Sequence, residues 1–174
     1  DIIDHLYNIK KYMYLLERVL DKNDRVAVTE IQKLKEYEET LLNKAISDNL
    51  FYDCQALTNI TIPAGVTSIG SRAFISCSRL SCIHLPDGLK TIGESAFYYC
   101  NQLYTIDIPD GVTYIGSNVF ASCRKLTDVT LPESVISIGD KAFYMCSALE
   151  SIDIPTGVTT SRSEERRVGK ECRS

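Results

Sequence analysis

The chain has 174 residues, 44% hydrophobic and 24% charged, with a formal net charge of −4. The last fourteen residues carry five Lys or Arg against three Asp or Glu, which leaves −6 over residues 1–160. A mildly acidic chain without a basic stripe is a poor fit to nucleic acid, and no apolar run approaches the length that crosses a bilayer.

Residues 1–49 contain no Gly, Pro or Cys, whereas residues 50–160 hold eight of the nine Gly and all five Pro. That shift marks a domain boundary, and it predicts a helical segment over residues 1–45. Ile2, Leu6, Ile9, Met13, Leu16 and Leu20 recur at alternating steps of four and three, which places an apolar stripe on one helix face. The polar run Asp21 to Arg25 interrupts the stripe. Thr29 followed by Gln32 then reads as a capping box opening a second helix. Ile31, Leu34, Leu41 and Ala45 lie on its apolar side, and Glu38 breaks it. The expected structure is a helical hairpin that caps the domain to follow. The alternatives are a stripe that pairs two chains as a weak dimer, or a fragment of a separate helical domain. His5 falls on the first helix as a solvated or boundary residue.

From Phe51 to Val158 the chain repeats every 23 residues. All five phenylalanines keep the period, at Phe51, Phe74, Phe97, Phe120 and Phe143, and all five prolines do so from Pro63 to Pro155. Five of seven cysteines follow, at Cys54, Cys77, Cys100, Cys123 and Cys146. A fixed period of this size signals stacked supersecondary units, none of which can bury its apolar face alone. About five layers are expected over residues 46–160, with the register reaching back to Ile46 and Leu50.

Within one unit, Ile83 and Leu85 alternate with His84, the period-2 pattern of a strand with one buried face. Pro86 ends that strand, because it has no N–H to donate, and Asp87-Gly88 supplies a turn. A short return segment runs from Leu89 to Ile92 and closes at Gly93. Ser71, Glu94, Ser117 and Asp140 follow the corresponding glycines, and three of the four are good candidate helix N-caps. They lead into Ala73-Phe74-x-x-Cys77 and its copies, where Phe and Cys at i, i+3 would share one face of a helical turn.

The unit L-x-x-I-x-I-P-x-x-V-x-x-I-G-x-x-A-F-x-x-C resembles the BspA-like class of leucine-rich repeats. Leu103, Ile106, Ile108, Pro109, Val112, Ile115, Gly116, Phe120 and Cys123 carry the resemblance in one unit, with Val119 in place of the usual Ala. It implies an α/β repeat solenoid with a short parallel sheet on its concave side, and return strands and helical turns on its convex side. It also implies a cell-surface or secreted protein that serves adhesion or protein binding. Residues 1–45 have no counterpart in the repeat. After Val158 the period fails, with Ser161 where Ile is expected and Arg162 where Gly is expected. Residues 162–172 resemble the translation of a sequencing-library adapter, so residues 161–174 are expected to be a non-native, disordered tail. The natural array is then expected to have been cut in mid-repeat.

The cysteines suit neither a disulfide framework nor a metal. Their number is odd, copies in register point their Cβ vectors parallel, and no C-x-x-C or H-x₃₋₅-H spacing exists for zinc. The five ladder cysteines are expected as buried thiols, and no cofactor is expected. Cys82 and His84, both outward on one strand, with Asp107 one layer on, compose a conceivable nucleophile, base and orienter. These positions lack an oxyanion hole, and a Cys-dependent enzyme is the remote alternative.

More informative are the three outward columns of the strands. They are Thr58, Ser81, Tyr104, Thr127, Glu150; then Asn59, Cys82, Thr105, Asp128, Ser151; then Thr61, His84, Asp107, Thr130, Asp153. None of the fifteen is Lys or Arg, and Arg79, Arg124 and Lys125 fall on the adjoining turn. Inward positions repeat almost letter for letter, while these vary. The sequence therefore predicts a non-enzymatic module that binds a protein or glycan through this face at Tyr104, Asp107, Asp128, Glu150 and His84. A structural spacer presenting another domain is the alternative.

Overall fold

The computed structural model describes residues 44–159. The helices expected before Lys44, the stripe they carry, and the tail expected after residue 160 lie outside those residues.

Among the described residues, nine short strands alternate in two columns. The two-residue strands β1 (Ala45–Ile46), β3 (Ser68–Ile69), β5 (Thr91–Ile92), β7 (Tyr114–Ile115) and β9 (Ser137–Ile138) form one parallel sheet in the order β1-β3-β5-β7-β9. The three-residue strands β2 (Asn59–Thr61), β4 (Cys82–His84), β6 (Thr105–Asp107) and β8 (Asp128–Thr130) pair in parallel as β2-β4 and β6-β8. Every register step joins residues 23 apart, such as Ile60 to Ile83 and Ile106 to Val129. The sequence period is thus the rise of one layer, about 4.8 Å for paired strands. Ala45, read above as the end of the helical stripe, opens β1 against Ser68 instead.

The Phe-Cys segments are not helical: no helix occurs among the described residues. The residue after each candidate N-cap is left-handed, with φ of 57° at Arg72, 55° at Ser95, 56° at Asn118 and 58° at Lys141. So is the residue before each cysteine, with φ of 61° at Ser76, 64° at Tyr99, 64° at Ser122 and 58° at Met145. A right-handed helix cannot pass through such residues. Their backbone groups bond to the next layer instead. Phe51, Phe74, Phe97 and Phe120 donate their N–H to the carbonyls of Ala73, Ala96, Val119 and Ala142 at 2.8 to 2.9 Å. Turns with left-handed corners satisfy the same i, i+3 spacing of Phe and Cys, and tie each layer to the one above.

The core runs the length of the stack. The five phenylalanine rings are nearly parallel, with successive centroids 5.0, 5.3, 5.5 and 5.5 Å apart. Leu80, Leu103 and Leu126 are wholly buried beside them, and full burial of such a side chain stabilises by roughly 1.5–3 kcal/mol. Four of the five ladder thiols share one kind of partner. Cys77, Cys100, Cys123 and Cys146 donate to the carbonyls of Phe51, Phe74, Phe97 and Phe120 in the layer below, at 3.0 to 3.2 Å. A buried carbonyl is thereby satisfied by a side chain small enough to fit between stacked layers. Gly93 answers a different need, since a Cβ there would lie 2.4 Å from the Ser71 backbone nitrogen.

Candidate sheet-face binding site

Strand alternation turns Ile83, Ile106 and Val129 inward, and their neighbours form the outward face. Thirteen of the fifteen outward positions are exposed, and Ser81 and Cys82 are half-buried. Tyr104 is the one large apolar side chain among them, at 47% exposure. Its N–H reaches the Ser81 carbonyl at 3.4 Å, against 2.8 Å for Ser81 to Thr58 below and 2.9 Å for Thr127 to Tyr104 above.

The Tyr104 ring is held from the adjoining turn. Lys125 Nζ lies 5.5 Å from its centroid and 3.4 Å from its hydroxyl oxygen. The same ammonium donates to Gln102 Oε1 at 2.8 Å. Sequence reasoning put Lys125 on the turn but missed this reach, although the clue was there. Lys125 occupies the repeat position of Gln102, one layer on, so both point along the same edge beside the Tyr104 column. A cation over an aromatic face contributes about 0.5–1 kcal/mol at an exposed site, enough to bias the ring without burying it.

The other predicted residues spread over the same face. Asp107 Oδ1 accepts a 2.8 Å hydrogen bond from the hydroxyl of Thr130, its register partner. Asp128 pairs in register with Thr105 and is exposed, as are Glu150 and Asp153. All four carboxylates belong to the third to fifth layers, whereas the first two layers, Thr58, Asn59, Thr61, Ser81, Cys82 and His84, carry none. His84 is exposed, with Nδ1 3.8 Å from Cys82 Sγ. Asp107 is spent on Thr130 and makes no hydrogen bond to His84 among the described residues, so thiol, imidazole and carboxylate do not assemble into one set.

All six described cysteines are unbridged thiols, Cys54 and Cys82 half-buried and four fully buried. Cys54, expected in the buried ladder, is half-covered because it belongs to the first layer. Burial pushes the Cys100 thiol up to about 12. Cys123 is raised well above the ordinary range by burial and then by its neighbours Cys100 and Cys146. Cys77 is raised as well, first by the hydrogen bond linking its side chain to Cys54 and then by burial. These thiols hold their protons and are poor nucleophiles. Among the described residues, no group of three or more His, Cys, Asp and Glu is placed to hold a metal ion. No helix among them is long and apolar enough to cross a membrane.

A second apolar feature was not expected. Tyr52, Tyr99, Tyr144 and Met145, at 40–56% exposure, line the turn edge away from the sheet face. Tyr98 stacks near Tyr99 at 6.3 Å.

Residues 44–164 match the family model described as BspA type leucine rich repeat region, in six copies. Solved structures of bacterial leucine-rich repeat proteins are also similar to this chain. A leucine-rich repeat protein of T. pallidum is 42% identical with a TM-score of 0.64, covering 66% of this chain and 53% of its own. A leucine-rich cell surface protein of Faecalibacterium prausnitzii is 40% identical with a TM-score of 0.62, covering 67% of this chain and 31% of its own. The chain thus spans about half the length of the first protein and a third of the second. No curated protein matches it.

Proposed function

Since the chain belongs to the BspA-type leucine-rich repeat family, we propose that it is a non-enzymatic, adhesion-like module that binds a protein through the outward sheet face. Tyr104 is the anchor, and Asp107, Asp128 and Glu150 select among partners. The observation that carries this reading is Tyr104 itself, half-exposed on a face of small polar residues and steadied by Lys125. An aromatic ring immobilised before binding loses little entropy on contact, and aromatic residues dominate binding hot spots. The acidic half of the face attracts a basic partner and discourages an acidic one. Cell-surface location belongs to the same proposal, supported by the similarity to a bacterial cell surface protein.

Cys82 offers a test, because it lies half-buried on this face while four other thiols are enclosed. A partner is captured on the immobilised chain and identified. The wild type and Cys82→Ser are then treated with a bulky maleimide, the other six cysteines being common to both chains. Treatment should abolish capture by the wild type and leave Cys82→Ser unaffected. Undiminished capture by the labelled wild type would contradict the assignment.

A further inference from the structure

Cys82 and His84 stand two residues apart on β4, so strand alternation brings both side chains to the outward face. Cys82 Sγ and His84 Nδ1 lie 3.8 Å apart. Tetrahedral zinc, with Zn–S of about 2.3 Å and Zn–N of about 2.0–2.1 Å, spaces such a pair about 3.5–3.6 Å apart. The strand thus holds the two side chains near the bite of one tetrahedral edge before any metal arrives. His84 is exposed and Cys82 half-buried, so an ion can reach both. None of the fifteen outward positions is Lys or Arg, and Asp107 takes the repeat position of His84 one layer on. The local field therefore favours a dication. Sequence spacing did not disclose the pair, because Cys-x-His converges only on a strand and matches neither zinc spacing sought above.

Within one chain the set stops at two, since no third His, Cys, Asp or Glu joins it among the described residues. We propose that Cys82 and His84 bind a zinc ion together with the same two residues of a second copy, in a two-fold dimer. A two-fold contact presents each ligand twice, and two cysteines with two histidines are a closed structural zinc set. The surrounding surface permits the approach. Asn59 and Thr61, in register with the pair, are short, as are Thr58 and Ser81. With the stacks antiparallel and the second layers opposed, Tyr104 and Asp107 of one copy meet Thr58 and Thr61 of the other. Asp128, Glu150 and Asp153, in the fourth and fifth layers, are carried past that contact and do not face their own copies. Each bound thiol gives its proton to solvent, and each imidazole binds through Nδ1 with its proton on Nε2. Zinc then governs how much of the sheet face stays open to a protein partner.

The test titrates the full chain, reduced and metal-free, with cobalt(II) alone, because a cobalt–thiolate bond gives a near-ultraviolet charge-transfer band. The band should saturate at one cobalt per two chains, and light scattering should show the mass doubling, with a chelator reversing both. Cys82→Ser should lose the band and the doubling, although the other six cysteines remain. His84→Ala should weaken cobalt binding at least about tenfold. No band, a band that Cys82→Ser retains, or saturation at one cobalt per chain without doubling overturns the proposal. Should Cys82→Ser lose the circular dichroism of the wild type, His84→Ala decides by the same readings. The solution holds no protein partner, so the result stands apart from the assignment of Tyr104.

Discussion

The phenylalanine carbonyl and the cysteine thiol of the next layer are the smallest unit of this fold, and they make it sensitive to alkali. In the unfolded chain the thiols titrate near 9.0, while burial keeps Cys100 protonated up to about 12 and raises Cys123 as well, and Cys77 is raised first by its hydrogen bond to Cys54 and then by burial. Above pH 9 the unfolded state therefore releases protons that the folded state retains. Stability is full below that pH and declines as pH rises toward 12, by about 1.4 kcal/mol per pH unit for each thiol. Denaturant unfolding between pH 8 and 11 should show this slope, and Cys100→Ser should make it shallower whatever its absolute stability. An equal slope in both chains would remove the thiols as its cause. The period of the cysteines and the smallness of the side chain were legible in the sequence. Their hydrogen bonds were not, because the acceptor lies 26 residues back and follows from the offset between layers.

At the scale of the element, the strands were readable because alternation and Pro86 with its copies act locally. The turns were misread for a physical reason. Phe and Cys at i, i+3 meet equally well on a helical turn or on a turn with left-handed corners. What decides is where the backbone N–H groups bond, and that depends on the next layer. The sequence gives little warning, since Arg72, Ser95, Lys141 and Met145 are not residues that favour positive φ. Gly93 shows the same dependence on a neighbouring layer. Its Cβ would press on the Ser71 backbone, which no rotamer change can relieve. Gly93→Ala should cost about 1–3 kcal/mol by overpacking, seen as a lower urea midpoint with the folded circular dichroism retained. An unaltered midpoint would mean that the layers are less closely apposed than described.

Across the whole molecule, stability is a sum of like layers, each resting on its neighbours. Phe97 lies between Phe74 and Phe120 at 5.3 and 5.5 Å, so Phe97→Asp would bury a carboxylate with no partner. Loss of the cooperative thermal transition is expected, and unchanged melting would contradict the stacked core. The outward columns were also legible in outline, because packing fixes the inward letters and leaves the outward ones to vary. The grip of Lys125 on Tyr104 was not, since it depends on side chains of adjacent layers meeting.

That contrast sets the decisive comparison. Two exposed tyrosines stand on different surfaces, Tyr104 on the sheet face and Tyr144 on the turn edge, at 47% and 56% exposure. Each is approached by a lysine, Lys125 and Lys141 respectively, so their local settings are alike and their locations differ. The measurement is the dissociation constant of the captured partner for wild type, Tyr104→Ala and Tyr144→Ala, side by side at one salt concentration. Loss of a hot-spot ring at Tyr104 should weaken binding by about 2 kcal/mol, roughly thirtyfold, with Tyr144→Ala indistinguishable from wild type. Weakened binding in Tyr144→Ala, with Tyr104→Ala unaffected, would move the site to the turn edge and contradict the account.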